Sequence, residues 1–281
     1  MEKSLGIYRP TLRYGKPFIW QLELVCGNTP DTLEYQKRVG NNPSYYYAQS
    51  DRACRAYPFS QIKSVIESMM YPEVEESLQR WRERVGEEEA NRICSESKAA
   101  GEMGHKALAN WTQNKPLGVC SMDMMGYRQG LENKILPYLN KNTLDLSVED
   151  KQGQTIPLSE LFVADFNVGF IGRLDLVTSL KYPNNNTRVL LELKGSRKQK
   201  TIEQMESHII QAVAYWQTFN RIALAYPYQL QPLDGVAMAY IYQDGDGDLL
   251  PILGQELREY EQQWQQWLSC FYDLLTGAKV A

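Results

Sequence analysis

The sequence predicts an α/β fold in which a small mixed β-sheet is flanked by helices. Three observations support this prediction: helical spacing of apolar residues after residue 57, two apolar runs separated by a turn, and a helix, a strand and a helix near the carboxyl end. With 281 residues, of which 43% are hydrophobic and 23% charged, the chain can bury a sizeable core and has an ordinary globular composition.

Two regions of the chain differ in pattern, and we expect them to form two domains. Residues 1–57 are rich in tyrosine, proline and asparagine and show little periodicity, so we predict an irregular N-terminal extension there. Residues 58–281 are predicted to form the main domain, with a helical part at 58–140 and a catalytic core at 141–281.

The predicted elements of the main domain follow in order. Apolar residues keep helical spacing from Ile62 to Met70 and again from Leu78, with Pro72 as an interruption, so helices are expected over about 58–111. A further helix is predicted at 122–136, closed by Pro137. Apolar runs then predict strands, and two amphipathic patterns predict helices. The strands are expected at 144–148, 163–177, 189–193 and 235–242, and the helices at about 201–220 and 255–275.

Two of these apolar runs carry the most informative residues. Tyr182–Asn186 has the composition of a turn, so the runs before and after it are expected to pair as a hairpin. In the second run Glu192 and Lys194 are two positions apart and share one strand face, whereas Leu193 points into the core. Pairing brings Asp175 beside them. Two carboxylates can hold a hard divalent cation, and the ammonium can contact a water or a phosphate oxygen, which is typical of metal-assisted phosphodiester hydrolysis.

A histidine in the helical region is a candidate metal ligand. Gly101 and His105 are four residues apart and share a helix face, so the glycine is expected to let a backbone or a substrate approach closely. Neutral imidazole suits Mn²⁺ better than Mg²⁺. The alternative is a hydrogen-bonded, half-buried histidine without a ligand role.

Polar residues on and before the helix at 201–220 are candidate substrate contacts. Gln211 and Tyr215 place an amide and a phenol side by side next to the apolar stripe, where they are expected to reach a strand end or a bound phosphate. The alternative is a boundary between core and water. Residues 197–200 hold three cations in four positions, and Ser196 and Lys198 are candidate phosphate contacts. The alternative for this run is a solvated loop.

Charge and cysteine content exclude some classes of protein. A net charge of −4 and a pI of about 5.4 argue against a passive DNA-coating protein, although an enzyme can concentrate its positive charge locally. The five cysteines are scattered, which favours reduced thiols over a disulfide framework or a zinc site. No apolar stretch reaches the length of a membrane span or forms a signal peptide, so we expect an intracellular protein without a membrane partner.

The ordered set of His105, Asp175, Glu192-x-Lys194 and Gln211-x-x-x-Tyr215 resembles the PD-(D/E)xK nuclease superfamily. Within it, the pattern is most similar to the RecB-like exonuclease branch, and there to the mitochondrial genome maintenance exonucleases and their phage and bacterial relatives. The resemblance covers about residues 58–243. It implies a restriction-endonuclease-like core and a helical N-terminal region that arches over the site.

The resemblance also implies a metal-dependent DNA exonuclease in replication, recombination or repair, acting on a free, single-stranded end. Asp175, Glu192 and Lys194 would be catalytic, and one or two Mg²⁺ or Mn²⁺ ions would bind Asp175, Glu192, His105 and the Leu193 carbonyl. Gln211, Tyr215, Ser196 and Lys198 would contact the substrate or hold the lysine. Two alternatives stay open: an endonuclease on the same fold, and a catalytically silent nucleic-acid-binding protein.

The sequence departs from this family at some positions. Leu174 stands where many members of the superfamily have proline, and Cys270 is the sole cysteine near the carboxyl terminus, so no iron–sulfur cluster is expected. The first 20 residues lack a clear amphipathic helix, which favours the cytoplasm of a bacterial or phage-infected cell over an organelle matrix. Cleavage polarity, protein partners and oligomeric state are not indicated.

Overall fold

The amino-terminal region consists of β-strands. The computed structural model describes residues 5–14, 19–28, 31–36, 45–48, 51–70, 72–140, 147–181 and 187–276. Each of the first four strands pairs antiparallel with the strand that follows it. For the described residues among 1–57, the expectation of irregular structure is therefore wrong. The strands are β1 (Leu5–Tyr14), β2 (Ile19–Gly27), β3 (Thr32–Gln36), β4 (Tyr45–Ala48) and β5 (Asp51–Pro58).

Three helices follow, as the periodicity predicts: α1 (Phe59–Met70), α2 (Pro72–Val85) and α3 (Glu87–Thr112). Pro72 begins α2, where its missing N–H has no intrahelical partner to lose. Gly86 separates α2 from α3 with a φ of 86°, a conformation that glycine adopts without steric cost.

The helix predicted at 122–136 is a succession of short helical turns. A 3₁₀ turn at Met122–Met124 leads into α4 (Met125–Gly130), a π-helical turn at Leu131–Ile135 and a second 3₁₀ turn at Leu136–Tyr138. Short strands come next: β6 (Leu139–Asn140), β7 (Ser147–Glu149) and β8 (Thr155–Pro157). Residues 144–146 of the strand predicted at 144–148 lie outside the described residues.

The apolar run at 163–177 forms three strands and not one: β9 (Phe162–Asp165), β10 (Phe170–Arg173) and β11 (Leu176–Leu180). The break after β9 has a local cause. Asp165 Oδ1 accepts hydrogen bonds from the backbone N–H groups of Asn167 (2.9 Å) and Val168 (3.4 Å), which folds the chain into a turn. Gly169 completes the turn with a φ of 63°.

Strands β9 and β10 close the amino-terminal strands into a seven-stranded barrel in the order β1-β2-β3-β4-β5-β10-β9. Strand β9 pairs antiparallel with β1 and β10, and β10 pairs parallel with β5. The barrel thus takes strands from both sides of residue 57. Its strands share one cluster of buried side chains: Tyr8, Leu22, Leu24, Leu33, Tyr46, Ala56, Phe162, Ala164 and Ile171.

A five-stranded mixed sheet forms the second β-structure, in the order β14-β13-β12-β11-β6. Strands β12 and β13 are parallel, and the other neighbours are antiparallel. The predicted mixture of helices and strands is therefore confirmed. The prediction that a small sheet is the main β-structure is wrong, because the protein also contains the seven-stranded barrel. The remaining elements are β12 (Thr187–Ser196), α5 (Ile202–Ala225), β13 (Gly235–Tyr242), β14 (Gly247–Leu253) and α6 (Gly254–Thr276).

Both faces of this sheet are covered. Successive residues of β13 alternate between two buried clusters, as the strand period of two requires. Val236, Met238 and Tyr240 belong to the cluster that contains the buried side chains of α5, and Ala237, Ala239 and Ile241 belong to the cluster that contains those of α3. Among the described helices, none has both the length and the apolar character needed to cross a bilayer.

Candidate metal centre

The predicted hairpin places three candidate residues together. Strands β11 and β12 are antiparallel with Leu176 opposite Leu191, so Asp175, just before β11, comes next to Glu192. The turn predicted at Tyr182–Asn186 lies outside the described residues, but the strands on either side of it pair as expected.

Asp175 is buried and fixed by contacts from two elements. Its Oδ2 accepts a hydrogen bond of 2.7 Å from the backbone N–H of Leu193, and its Oδ1 lies 3.2 Å from Nδ1 of His105. Burial acts to raise the pKa of Asp175, but the charges of His105 and Lys194 and the hydrogen bonds bring this pKa below its usual value. Asp175 therefore favours its charged form inside the protein.

The buried Glu192 and the half-buried Lys194 form an ion pair on the face of β12 that α5 covers. Glu192 Oε1 and Lys194 Nζ are 2.7 Å apart. Burial and the neighbouring charge of Asp175 raise the pKa of Glu192 to about 7. Burial opposes the charge of Lys194, but Glu192 and Asp175 outweigh it and raise the lysine pKa. Glu192 Oε2 is buried and has no hydrogen-bond partner among the described residues, an unusual state for a carboxylate oxygen.

Leu193 contributes to the site through both its side chain and its backbone. Its side chain is buried in the cluster of α3, as predicted, and its N–H holds Asp175. A role for its carbonyl as a metal ligand stays a prediction.

Helix α3 brings His105 to this cluster through a close approach to β12. The glycine that permits the approach is Gly104, where a Cβ would lie 2.6 Å from Leu193 Cδ2 and 3.2 Å from Ile241 Cδ1. The sequence pointed to Gly101 instead, but a Cβ there would meet nothing within 4 Å. The close protein contact expected at Gly101 is therefore made at Gly104 instead, and the approach of a substrate to Gly101 stays a prediction.

Glu160 is a site residue that the sequence analysis missed. Its Oε1 lies 3.1 Å from Nδ1 of His105, and its Oε2 lies 2.9 Å from Arg173. The ligand atoms of His105, Glu160 and Asp175 all lie within 4.8 Å of one another. A glutamate before an apolar strand is too common for its sequence position to give a signal.

The backbone at Glu160 is strained. Its φ of 57° lies in the left-handed region, which costs a residue with a Cβ about 1–2 kcal/mol. Its N–H donates to the carbonyl of Asp175 (3.1 Å), and the Ser159 hydroxyl donates to the same carbonyl (3.1 Å). These two bonds tie the strained segment to the site, which is where such strain concentrates in proteins.

Gln211 and Tyr215, the two residues predicted on α5, are connected to Lys194 by hydrogen bonds. Lys194 Nζ donates to Gln211 Oε1 at 3.2 Å, and Gln211 Nε2 donates to the Tyr215 hydroxyl at 2.8 Å. Tyr215 is itself packed against β10, because a Cβ on Gly172 would overlap its ring. This chain of contacts fixes the position of the Lys194 ammonium.

The loop at residues 196–200 contributes less to the cluster of Asp175, Glu192 and His105 than the sequence pattern suggested. Ser196 Oγ donates to the carbonyl of Lys198 at 2.7 Å and so closes its own loop, while Lys198 is exposed. Arg197 faces α3, where its nitrogens lie 3.8 Å from Glu89 and 4.0 Å from Glu96. In the described part of the chain, neither Ser196 nor Lys198 has a side-chain hydrogen bond to Asp175, Glu192 or His105.

The arrangement fits a divalent cation. Carboxylates are the ligands that Mg²⁺ and Mn²⁺ prefer, and an imidazole beside them suits Mn²⁺. The unpaired Oε2 of Glu192 and the cluster of His105, Glu160 and Asp175 supply donors of both kinds. His105 and Lys194 compensate part of this negative charge, and a cation would compensate more of it.

Comparison with known proteins adds no assignment. Neither a scan against models of known families nor a search of curated proteins finds a match for this chain. The interpretation of the site therefore rests on its geometry and on the pattern of its residues.

Proposed function

We propose that this protein is a divalent-metal-dependent nuclease of the PD-(D/E)xK type that hydrolyses DNA from a free, single-stranded end. One observation carries the proposal: the buried carboxylates of Asp175 and Glu192 lie beside the half-buried Lys194, and Glu192 Oε2 has no hydrogen-bond partner among the described residues. A buried carboxylate oxygen left unpaired beside a second carboxylate and a lysine is readily explained by a bound cation.

The ligands of one or two Mg²⁺ or Mn²⁺ ions would be Asp175, Glu192, His105 and the Leu193 carbonyl, to which the geometry adds Glu160. When bound, the cation supplies a Lewis acid that polarises the phosphodiester and makes water a stronger nucleophile at neutral pH. Such chemistry needs dry, fixed ligands, and the side chains of Asp175 and Glu192 are 4% and 2% exposed.

Lys194 acts on the reacting groups. Its Nζ is held by Glu192 and Gln211, and an ammonium has three donors, so one remains to orient the attacking water or a phosphate oxygen. Its positive charge also stabilises the charge that develops on the phosphate. Because Gln211 is in turn bonded to Tyr215, the lysine is positioned before substrate arrives.

Contacts to the DNA backbone would hold the substrate. Ser196 and Lys198 would contact flanking phosphates, contacts that carry no sequence information and suit an exonuclease. A helical region at 58–140 that arches over the site would admit a threaded single strand. An enzyme of this kind would serve DNA replication, recombination or repair inside a bacterial or phage-infected cell.

Cleavage of end-labelled, linear single-stranded DNA tests the proposal. In Mg²⁺ or Mn²⁺, Asp175→Asn and Lys194→Gln should each reduce the rate at least about a hundredfold. Arg258→Gln changes an exposed arginine on α6, outside the helical region at 58–140 that would enclose the strand, and should cleave like the unchanged protein. Circular dichroism and thermal melting verify that all three variants fold. Full activity of either site variant would disprove the assignment.

Two further measurements separate the alternatives. Circular single-stranded DNA should stay intact, because an exonuclease needs an end; its cleavage would identify an endonuclease on this site. Calorimetric titration with Mn²⁺ should give binding that Asp175→Asn abolishes. Absence of both metal binding and cleavage would favour a catalytically silent protein.

A further inference from the structure

A cavity of about 420 Å³ opens beside the metal centre, between the barrel, α1 and α5. Lys194, Gln211 and Tyr215 form the part of its wall that belongs to the proposed nuclease site. The remaining wall has no assigned role. It comes from β4, β5, β9 and β10 of the barrel, from the first turns of α1 and from His208 on α5.

The wall divides into an aromatic side and a cationic side. Tyr46, Phe162 and Phe59 line the cavity, and the rings of Tyr46 and Phe162 pack together with centroids 6.0 Å apart. Lys63, Arg173 and Lys194 supply three positive charges. Within the described part of the chain, no aspartate or glutamate lines the cavity, although the whole protein carries a net charge of −4.

Nearby positive charge affects the pKa of His208, a further side chain of this wall. His208 also lines the cavity, and its Nδ1 lies 2.7 Å from the hydroxyl of Tyr240. Burial and the positive charges of Lys194, Lys63 and Lys200 lower the pKa of His208 to about 3. Burial is the larger cause and Lys200 lies outside the cavity wall, so the positive charge of the cavity itself comes from Lys63, Arg173 and Lys194.

Lys63 is the cation best placed to serve a ligand. Its Nζ lies 3.1 Å from Ser207 Oγ and 3.4 Å from a carboxylate oxygen of Glu67 one helical turn away. An ammonium has three donors, so Lys63 can bind a phosphate oxygen while it keeps both contacts. Arg173 is held from the other side by Glu160 at 2.9 Å.

We infer that this cavity binds a single terminal nucleotide, with its phosphate on Lys63 and Arg173 and its base against the aromatic side formed with Tyr46 and Phe162. The size supports one nucleotide, because small-molecule pockets span about 300–1,000 Å³ and this cavity is near the lower end. Tyr46 and Phe162 are each only 6% exposed, so the base would touch the exposed edges of these rings; such contacts accept any base, and recognition would be independent of sequence. The inference rests on the proposed function, since it assigns the end of the strand to a defined place beside Lys194.

Binding of deoxyadenosine monophosphate tests the inference without requiring catalysis. Calorimetry on the full chain in EDTA should show saturable binding of this nucleotide, and weaker binding of both inorganic phosphate and deoxyadenosine. Lys63→Gln should weaken nucleotide binding about tenfold or more, because it removes a charge-assisted hydrogen bond. Ser60→Tyr keeps every charge but places a bulky group at an exposed position of the cavity wall, and it should weaken binding as well. Lys106→Gln, on the exposed side of α3, is the matched control and should bind normally.

The outcomes distinguish this inference from the proposed function. Nucleotide binding that Lys63→Gln and Ser60→Tyr weaken supports the cavity assignment, even in a protein that does not cleave DNA. An active nuclease that does not bind the nucleotide, or whose binding is indifferent to both variants, overturns the cavity assignment and leaves the nuclease proposal standing. Equal affinity for inorganic phosphate and for the nucleotide would overturn the role of the aromatic side.

Discussion

Nδ1 of His105 lies 3.1 Å from a carboxylate oxygen of Glu160 and 3.2 Å from one of Asp175. One ring nitrogen on α3 therefore faces two carboxylates that come from separate segments of the chain. Burial lowers the pKa of His105, but the two carboxylates outweigh it and raise this pKa to about 10. The three groups form a compact set of possible metal ligands. A proton on His105 Nδ1 and a metal ion would compete for the space between this nitrogen and the two carboxylates.

Removal of one of these three possible metal ligands should weaken metal binding. We expect Glu160→Gln to reduce Mn²⁺ affinity about tenfold or more, since a neutral amide replaces a charged oxygen ligand. Calorimetric titration with Mn²⁺ measures the change. Glu102→Gln is the control, because it removes an exposed carboxylate from α3. An unchanged affinity in Glu160→Gln would show that this carboxylate is not a ligand.

Two glycines on α3 should respond to the same substitution in opposite directions. Gly104→Ala should destabilise the protein by about 1–3 kcal/mol, because the new Cβ would lie 2.6 Å from the buried Leu193 Cδ2. Gly101→Ala should stabilise it by about 0.5–1 kcal/mol, since its Cβ meets nothing within 4 Å and alanine favours the helix. Urea unfolding of both variants provides the test. A stabilised Gly104→Ala would contradict the close packing of α3 on β12.

His208 should make stability depend on pH below neutrality. Its pKa is lowered to about 3 in the folded protein, against about 6.5 in the unfolded chain. Between these values the unfolded chain binds a proton that the folded protein excludes, so the free energy of unfolding falls as pH drops below about 6.5. We expect His208→Gln to lose less stability than the unchanged protein between pH 7 and pH 5. Chemical unfolding at the two pH values measures the difference, and equal losses would be evidence against a neutral, buried His208.

The ion pair that supports the turn after β9 should contribute to stability. Arg221 lies 2.7 Å from Oδ2 of Asp165, a carboxylate that is completely buried, whereas the arginine side chain is 41% exposed. Arg221→Gln should cost about 1–3 kcal/mol, because Asp165 keeps its hydrogen bonds to backbone N–H groups but loses its charged partner. Arg258→Gln, at an exposed position of α6, should change stability by less than about 0.5 kcal/mol. Thermal and urea unfolding would show the contrast, and similar effects of the two changes would refute it.

Local pattern was sufficient to predict the long helices and the pairing of β11 with β12. The periodicity of α1 to α3 and α5 reflects burial of one helix face, and the period of two in β12 places Glu192 and Lys194 on one side. Both signals span only a few residues, so a single sequence contains them. The contact between Gln211 and Lys194 could be expected for the same reason, because each residue borders a buried face.

The barrel and Glu160 could not be predicted in this way. Closure of the barrel depends on pairing of β1 with β9, which are more than 140 residues apart, and β1 contains Pro10 and register shifts that obscure its alternation. Glu160 reaches His105 through a left-handed backbone conformation that no residue type nearby signals. Such features are set by tertiary contacts and not by propensity.

The position of β10 has a consequence for any attempt to shorten the chain. Strand β10 ends at Arg173, two residues before Asp175, and it pairs with β5 at Tyr57 and Pro58. A truncated protein that began at Phe59 would leave β9 and β10 without β1 and β5, and so with bare edges prone to aggregation. The amino-terminal fifth of the molecule is therefore a brace for the segment that bears the proposed catalytic aspartate, and the two should be inherited and engineered as one unit.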